Sequence, residues 1–294
     1  MTGLLERAVA LLDEARVSQG ALAHAPSGLH LLRHAAATPQ SATVYRPLLC
    51  LVLQGAKQVS TGTRSLTVTR GQSLIVSHAL PVVSRITEAT AATPYLALVQ
   101  PLDLDLLRGL APAVPPARAP HMKDPFSITL CPTDPGMENA LVRLIDQCAR
   151  DDTRHLLSPI TRQEIHARLL LGPHAGALQR LMWHETTASR IFRATREIQS
   201  DLSRALVVGA LAESIGMSPS AFFEHFKAIT GTSPLQYQKD LRLLQARSAL
   251  HASEAKVSDI AFRVGYESSA QFSREYARKF GLSPRQDRAA LAAE

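Results

Sequence analysis

Aromatic residues are scarce in this chain. Only 5% of its 294 residues are Phe, Trp or Tyr, with a single tryptophan, Trp183. Its cores must therefore be filled mainly with Leu, Val and Ala, which contribute to the 46% of hydrophobic residues. Cysteine is scarcer still: Cys50, Cys131 and Cys148 are the whole complement. An odd number at irregular spacing, with no Cys-x-x-Cys pair and no Cys/His metal spacing, argues against a disulfide framework or a zinc ribbon. Cys50 lies in an apolar run and reads as a small buried hydrophobe. The sequence leaves open whether any of the three thiols senses oxidants or electrophiles.

Long hydrophobic runs are missing too. None approaches the ~18–20 residues of a membrane span. The N-terminus is punctuated by Glu6, Asp13 and Glu14 and lacks the basic-then-apolar order of a signal peptide. Leu4, Leu5, Ala8, Leu11, Leu12 and Ala15 instead predict an amphipathic helix packed on the body. A cytoplasmic protein without a membrane partner is expected. Catalytic patterns are also lacking: there is no nucleophile elbow, zincin, Rossmann or phosphate-loop motif. His30 and His34 would lie about 13 Å apart along a strand, and His78 stands alone. No enzyme activity, metal or cofactor is expected.

Charge of one sign is only mildly in excess, with a net +7 and a pI near 9.7. Residues 189–294 hold 15 Lys and Arg against 11 Asp and Glu, and residues 1–188 hold 17 against 14. Such an even spread excludes a polybasic tail. Any nucleic-acid affinity must rest on a few placed cations.

What the chain does have is a repeat. Val208, Leu211, Ala212 and Ile215 sit at i, i+3, i+4 and i+7, one stripe of a helix, and Gly216 follows. Val257, Ile260, Ala261 and Val264 repeat the spacing, followed by Gly265. Phe222, Phe226, Gly231 and Ser233-Pro234 then recur as Phe272, Tyr276, Gly281 and Ser283-Pro284. The offset is 49 through the first glycine and 50 after it, so the second turn is one residue longer. Gly216 and Gly265 fall where a helix stops in a left-handed residue. Ser218-Pro219 has the form of an N-cap with proline at the first helical position, and Ser268 with Gln271 has capping-box spacing. Each copy is a helix–turn–helix, at about residues 206–230 and 256–280. A hairpin of two helices with glycine at the turn is common by itself. Two copies in register favour DNA reading.

The outward faces sharpen this. Ser220, Phe223, Glu224 and Lys227 lie opposite the buried stripe of the first recognition helix. Ser269, Ala270, Ser273 and Arg274 do so in the second. Short Ser and Ala side chains let a helix lie deep in a major groove, and Arg274 can pair bidentately with guanine. Phe223 can touch thymine methyls and Glu224 can accept from cytosine N4, although Phe223 can equally be a flank of the core. Lys227, Lys239, Arg242, Arg278 and Lys279 are candidates for phosphate contacts.

These residues, with Phe226-Lys227, Thr230-Gly231, Tyr237, Arg242, Ala246, Leu250, Gly265-Tyr266 and Phe272-Ser273-Arg274, resemble the AraC/XylS family of bacterial transcription regulators across about residues 190–290. The resemblance implies two helix–turn–helix units joined by a long helix over about residues 234–250, with both recognition helices entering successive major grooves. It places base reading on Ser220, Phe223, Glu224, Ser269, Ala270, Ser273 and Arg274. Phe-Phe-Glu-His at 222–225 departs from many members, in which basic or amide side chains are more usual at the two exposed places.

The first half reads differently. Residues 48–53 form an unbroken apolar run, as a buried strand would. Thr61-Gly62, Gly71 and Pro81 punctuate further short strands at a spacing that predicts a small sandwich or barrel. The segments Tyr45-Arg46-Pro47-Leu48 to Gly55-Ala56-Lys57 and 94–98 resemble the cupin-like N-terminal domain of one subgroup of the same family, over about residues 25–185. That implies a jelly-roll barrel that receives a small-molecule signal. Gln54, His78, Arg85 and Tyr95 are the polar residues that could meet such a ligand. Five prolines between 111 and 125 predict a surface loop. Helices are predicted at about 137–149, 159–171 and 175–183, where they could form a dimer interface or pack on the barrel. Trp183 reads as core.

The expected architecture is thus α+β and multidomain: a cupin-like β-barrel with flanking helices over 1–188, and an all-α domain of two helix–turn–helix units over 189–294. The expected function is sequence-specific regulation of transcription, controlled by an unidentified effector. The partners are double-stranded promoter DNA, RNA polymerase and a second copy of the chain. The competing reading is a ligand-binding barrel whose helical tail binds a protein.

Overall fold

The computed structural model describes residues 1–24, 27–62, 64–115, 125–182 and 186–291, without the side chains of 151–153 and 291. Trp183 and residues 116–124 of the proline-rich stretch lie outside the described residues. The chain opens with helix α1 (Thr2–Glu14). Strands β1 (Gly20–His24), β2 (Leu29–His34), β3 (Ser41–Tyr45), β4 (Leu48–Gln54), β5 (Ala56–Thr61), β6 (Arg64–Thr69), β7 (Gln72–Val76), β8 (Leu80–Glu88), β9 (Tyr95–Pro101) and β10 (Ile128–Pro132) follow. They form one sheet in the order β1-β2-β9-β4-β7-β10 and another in the order β3-β8-β5-β6, with antiparallel pairing. The predicted barrel therefore takes the form of a two-sheet sandwich whose sheets are not closed into a ring.

Strand β4 explains the unbroken apolar run. Leu49, Leu51 and Leu53 face a helical layer, while Cys50 and Val52 face the second sheet. A central strand covered on both faces needs no polar positions. The helical layer holds α1, through Leu4, Ala8 and Leu12, together with α2 (Leu104–Leu110), α3 (Pro135–Cys148), α4 (Asp151–Leu171) and α5 (Ala175–Met182). Asp134 and Asp103 cap α3 and α2 by accepting from Met137 and Leu106 N–H groups. One sequence boundary is corrected. The sequence predicts a helix opening at 159, whereas α4 begins at Asp151 and runs through Pro159. A proline inside a helix removes one ladder hydrogen bond, and the buried contacts of Ile165, Leu169 and Leu170 hold the helix together beyond it.

The C-terminal half is helical, as expected: α6 (Thr187–Ser200), α7 (Val208–Ser214), α8 (Pro219–Thr230), α9 (Pro234–Ala252), α10 (Val257–Arg263), α11 (Ser269–Phe280) and α12 (Pro284–Leu291). The two helix–turn–helix units are α7–α8 and α10–α11, and α9 is the long connecting helix. Ser218 and Ser268 cap α8 and α11, accepting from the N–H groups of Ala221 and Gln271. The second half of the expected capping box does not form. The Gln271 amide turns along its own helix to Glu275 instead of back to Ser268. Both recognition helices end on a left-handed glycine, Gly231 at φ 81° and Gly281 at φ 80°.

The two halves share one core. A continuous buried cluster runs from Val52, Val59 and Val82 in the sandwich through Ile191 and Ile198 of α6 to Phe222, Phe226, Ile229 and Tyr237. The second unit has its own cluster around Leu243, Leu250, Ile260, Phe272 and Tyr276. The sandwich is also wedged against the end of α8. The Ser127 N–H donates to the Ile229 carbonyl at 2.9 Å, and the Thr61 hydroxyl donates to the Thr230 carbonyl at 3.3 Å. The last carbonyls of a helix have no partner within it, so here the N-terminal domain supplies the cap. The β5–β6 turn comes so close that a Cβ on Gly62 would lie 1.8 Å from the Gly231 oxygen.

Candidate nucleic-acid interface and sensor interior

The two recognition helices bury and expose the faces that their spacing predicts. Phe222 and Phe226 are fully buried and meet edge to face at 5.4 Å, with Tyr237 against Phe226 at 5.3 Å. Phe272 and Tyr276 are their counterparts in the second unit. Ser220 and Glu224 are exposed and Phe223 is 47% exposed, so Phe223 is no part of the core. Ala270 and Arg274 are exposed, and Ser269 and Ser273 are half-buried. The Ser273 hydroxyl donates to the Ser269 carbonyl at 2.9 Å. The exposed residues of both faces remain open, and among the described residues the N-terminal domain hydrogen-bonds α8 at its far end, through Ile229 and Thr230.

The five candidate phosphate cations divide into two groups. Lys227 and Arg278 are exposed and make no ion pair among the described residues. The other three are engaged inside the domain. Lys239 pairs with Glu275 at 2.6 Å and Lys279 pairs with Asp240 at 2.5 Å, so each pair ties α9 to α11. Burial alone would raise the Glu275 carboxyl, but the Lys239 ammonium and the donors Tyr266 and Gln271 hold it below its ordinary value. Arg242 donates to three carbonyls of the α6–α7 loop: Leu202 at 2.6 Å, Arg204 at 3.0 Å and Ser203 at 3.2 Å. A second anchor lies behind α11. The buried Asp287 accepts from Arg247 at 2.9 and 3.2 Å and from the Tyr276 hydroxyl at 2.5 Å.

In the N-terminal domain the four candidate ligand residues do not converge. Gln54 donates to the Pro94 carbonyl at 2.8 Å. Arg85 is exposed and donates to Gln58 at 2.9 Å. His78 is buried at the junction with the helical half. Its Nε2 lies 3.1 Å from the Ala188 carbonyl and so carries the proton, and Nδ1 lies 2.9 and 3.0 Å from the Ser77 and Ser127 hydroxyls. Burial pushes its pKa down to about 4. A second buried histidine, His174, is held between Ser73 at 2.8 Å and Thr129 at 2.9 Å and is also lowered to about 4 by burial.

Tyr95 alone of the four lies between the sheets, 1% exposed, where its hydroxyl has no hydrogen-bond partner. Beside it is a residue that sequence reasoning missed. Lys57 is 6% exposed, and its ammonium donates to the Cys50 sulfur at 3.0 Å and stands 5.4 Å above the Tyr45 ring. Burial alone would push its pKa down, but the Cys50 sulfur and the Tyr95 and Tyr45 phenols outweigh that and raise it. A lysine on a strand ordinarily points to solvent, so nothing in its type announced this position. The only available signal was register: Lys57 is two residues before Val59, on the same strand face.

Comparison with known proteins agrees with this geometry. Residues 25–177 match the family model described as the N-terminus of AraC-type transcriptional regulators, and residues 211–290 match that of a helix-turn-helix domain. The HTH-type transcriptional activator RhaS of Escherichia coli O139:H28 is 34% identical over 130 residues, which are 44% of this chain and 46% of RhaS. The chain spans about half the length of the curated relatives it matches. The crystal structure of an apo variant of ToxT from Vibrio cholerae superposes with a TM-score of 0.58 at 10% identity, covering 90% of this chain and 97% of ToxT. ToxT from Vibrio cholerae O395 bound to (E)-4-(8-methylnaphthalen-1-yl)but-3-enoic acid gives 0.53 at 10% identity, covering 89% and 99%. These two likenesses establish the fold.

Proposed function

Because the chain belongs to the AraC-type family of transcriptional regulators, we propose that it binds double-stranded promoter DNA sequence-specifically and that a small-molecule effector received by its sandwich controls this binding. The observation that carries the proposal is the two-copy surface. Ser220, Phe223 and Glu224 on α8, and Ser269, Ala270, Ser273 and Arg274 on α11, all lie on faces that the domain leaves uncovered. Arg274 reads guanine, Phe223 meets thymine methyls, and Lys227 and Arg278 bind phosphates. Lys239, Arg242 and Lys279 act on DNA indirectly, by holding α9, α11 and the α6–α7 loop in one arrangement. The effector acts by changing how often the two recognition helices can engage adjacent grooves together.

The proposed protein partners are RNA polymerase and a second copy of the chain. Support for the second copy comes from α4, where Leu156 and Ile160, one helical turn apart, are exposed by 71% and 59%. No catalytic step is proposed. Among the described residues no helix is long and apolar enough to cross a membrane.

Affinity selection and sequencing of genomic fragments with the full-length chain tests the reading. The expected result is a bipartite site whose two halves lie about 10 base pairs apart, one turn of the duplex, bound with a steep salt dependence. Recovery of fragments without a shared sequence, or binding insensitive to salt, would favour a tail that binds protein.

A further inference from the structure

The pair Cys50–Lys57 is not explained by packing. Cys50 shares its buried apolar cluster with Val52, Val59, Val82 and Ala97, an environment where well-packed hydrophobic residues are often as stable as a buried charge or more so. Lys57 makes no salt bridge to a carboxylate among the described residues. What it meets is a thiol at 3.0 Å, with the unpartnered hydroxyl of Tyr95 in the same interior. Three polar groups therefore converge in this buried interior, and two of them are a nucleophilic sulfur and an amine already in contact.

We propose that Cys50 and Lys57 form an oxidant-responsive covalent switch, in which a peroxide converts their contact into a sulfur–nitrogen bond between β4 and β5. The nucleophilic form of a thiol is its thiolate, and in that form the Cys50 sulfur attacks one oxygen of hydrogen peroxide. A sulfur–oxygen bond forms, the oxygen–oxygen bond breaks, and the departing hydroxide takes a proton from the Lys57 ammonium and leaves as water. The product is a sulfenic acid beside a neutral amine. The amine lone pair then attacks the sulfenic sulfur. A sulfur–nitrogen bond forms, the sulfur–oxygen bond breaks, and the hydroxide leaves as water with a proton from nitrogen. Sulfur has been oxidised by two electrons and the peroxide reduced by two. Condensation of a sulfenic acid with a backbone nitrogen is established cysteine chemistry, and the Lys57 amine supplies a more nucleophilic nitrogen for the same step.

The surroundings favour the product. An ammonium in an apolar core carries a desolvation penalty, and the linkage replaces it with a neutral bond. Oxidant access needs only a brief opening of the sheet edge at β6, which is the last strand of its sheet. The consequence is mechanical. Lys57 lies near the start of β5 and Thr61 at its end, and Thr61 holds the end of the first recognition helix. Drawing β5 toward β4 moves that grip. The linkage itself does not depend on the proposed DNA-binding function, whereas its regulatory effect does.

The test uses full-length protein carrying Cys131→Ser and Cys148→Ser, so that Cys50 is the lone thiol. It is treated with hydrogen peroxide, digested and mapped by mass spectrometry. The expected result is a joined peptide pair, Cys50 to Lys57, lighter than the sum of its parts by two hydrogens and separated again by dithiothreitol. The oxidised protein should differ from the reduced one in affinity for its selected DNA site by about fivefold or more, and reduction should reverse the difference. Cys50 recovered as free thiol, or as sulfinic acid with Lys57 still an amine, overturns the proposal. So does a linkage that leaves DNA affinity unchanged. Failure of the reduced protein to select any DNA site would count against the DNA-binding reading instead, since the peptide map does not depend on it.

Discussion

The hydroxyl of Tyr237, on the long helix, donates to the carbonyl of Ala79, at the head of a sandwich strand, across 2.6 Å. The same oxygen accepts from Gln199 of α6 at 2.8 Å. One phenol thus joins three segments where the halves of the chain meet. Replacing Tyr237 by Phe keeps the ring in its edge contact with Phe226 and removes only the oxygen. The Ala79 carbonyl then loses this partner at a buried site, and Gln199 loses its own at a half-buried one. The expected cost is about 1–3 kcal/mol, read as a lower urea midpoint with an unchanged slope.

Arg274→Ala should lower affinity for the selected DNA by about 1–3 kcal/mol and relax preference at one base pair. Lys227→Ala and Arg278→Ala should instead weaken specific and random DNA alike and reduce the salt slope by about 1 each. Binding titrations on both DNAs at several salt concentrations distinguish the roles. An Arg274→Ala loss equal on both DNAs would assign that side chain to phosphate.

Lys279 is expected to behave unlike its neighbour Arg278. Its ammonium is committed to Asp240. Lys279→Ala should leave the salt slope of DNA binding unchanged while costing about 1 kcal/mol of stability, since the pair is only partly shielded from solvent. A slope reduced by one full contact would return Lys279 to the phosphate-binding set.

Much of the helical domain was legible from sequence because its signals are local. Ser218 and Ser268 cap, Gly231 and Gly281 terminate, and the stripes around Phe222 and Phe272 point inward, all within stretches of a dozen residues. The longer second turn follows from the repeat offset alone. The buried run of β4 was legible for the same reason. Lys57 was legible only through its register with Val59, because its burial depends on a second sheet packing over that face and its residue type points the other way. The engagement of Lys239, Arg242 and Lys279 was also hidden, since each partner lies some 35–40 residues away along the chain. Pro159 misled as a helix start because tertiary packing overrode its local preference.

Gly62→Val tests the contact between the halves. The added side chain would occupy the position of the Gly231 carbonyl, and Gly62 sits at φ 55°, a backbone region that β-branched residues avoid. The turn can then no longer seat against α8. Unfolding should separate into two steps, and the segment between the domains should be cleaved faster by protease. A single transition with an unchanged midpoint would show that the shared core alone holds the halves together.

Acid should weaken the fold through His78 and His174. Both are buried and neutral, with folded values near 4 against an ordinary 6.5. The unfolded chain therefore binds more protons below about pH 6.5, and stability should fall from there toward about pH 4. Each histidine can contribute up to about 3 kcal/mol to that fall, by the free energy of one pKa unit. Urea midpoints measured across this range should drop, and the drop should flatten in protein carrying His78→Gln and His174→Gln. A parent profile flat between those two pH values would contradict the buried neutral pair.

The buried cluster that passes from the sandwich into the first helix–turn–helix has a practical corollary for anyone dissecting the molecule. Cutting the chain ahead of α6 would strip the cover from Ile229 and Tyr237 and leave the end of α8 without Ser127 and Thr61. The severed tail would carry a raw apolar wound on its leading unit and an intact trailing one, and should therefore clump where the parent stays dispersed.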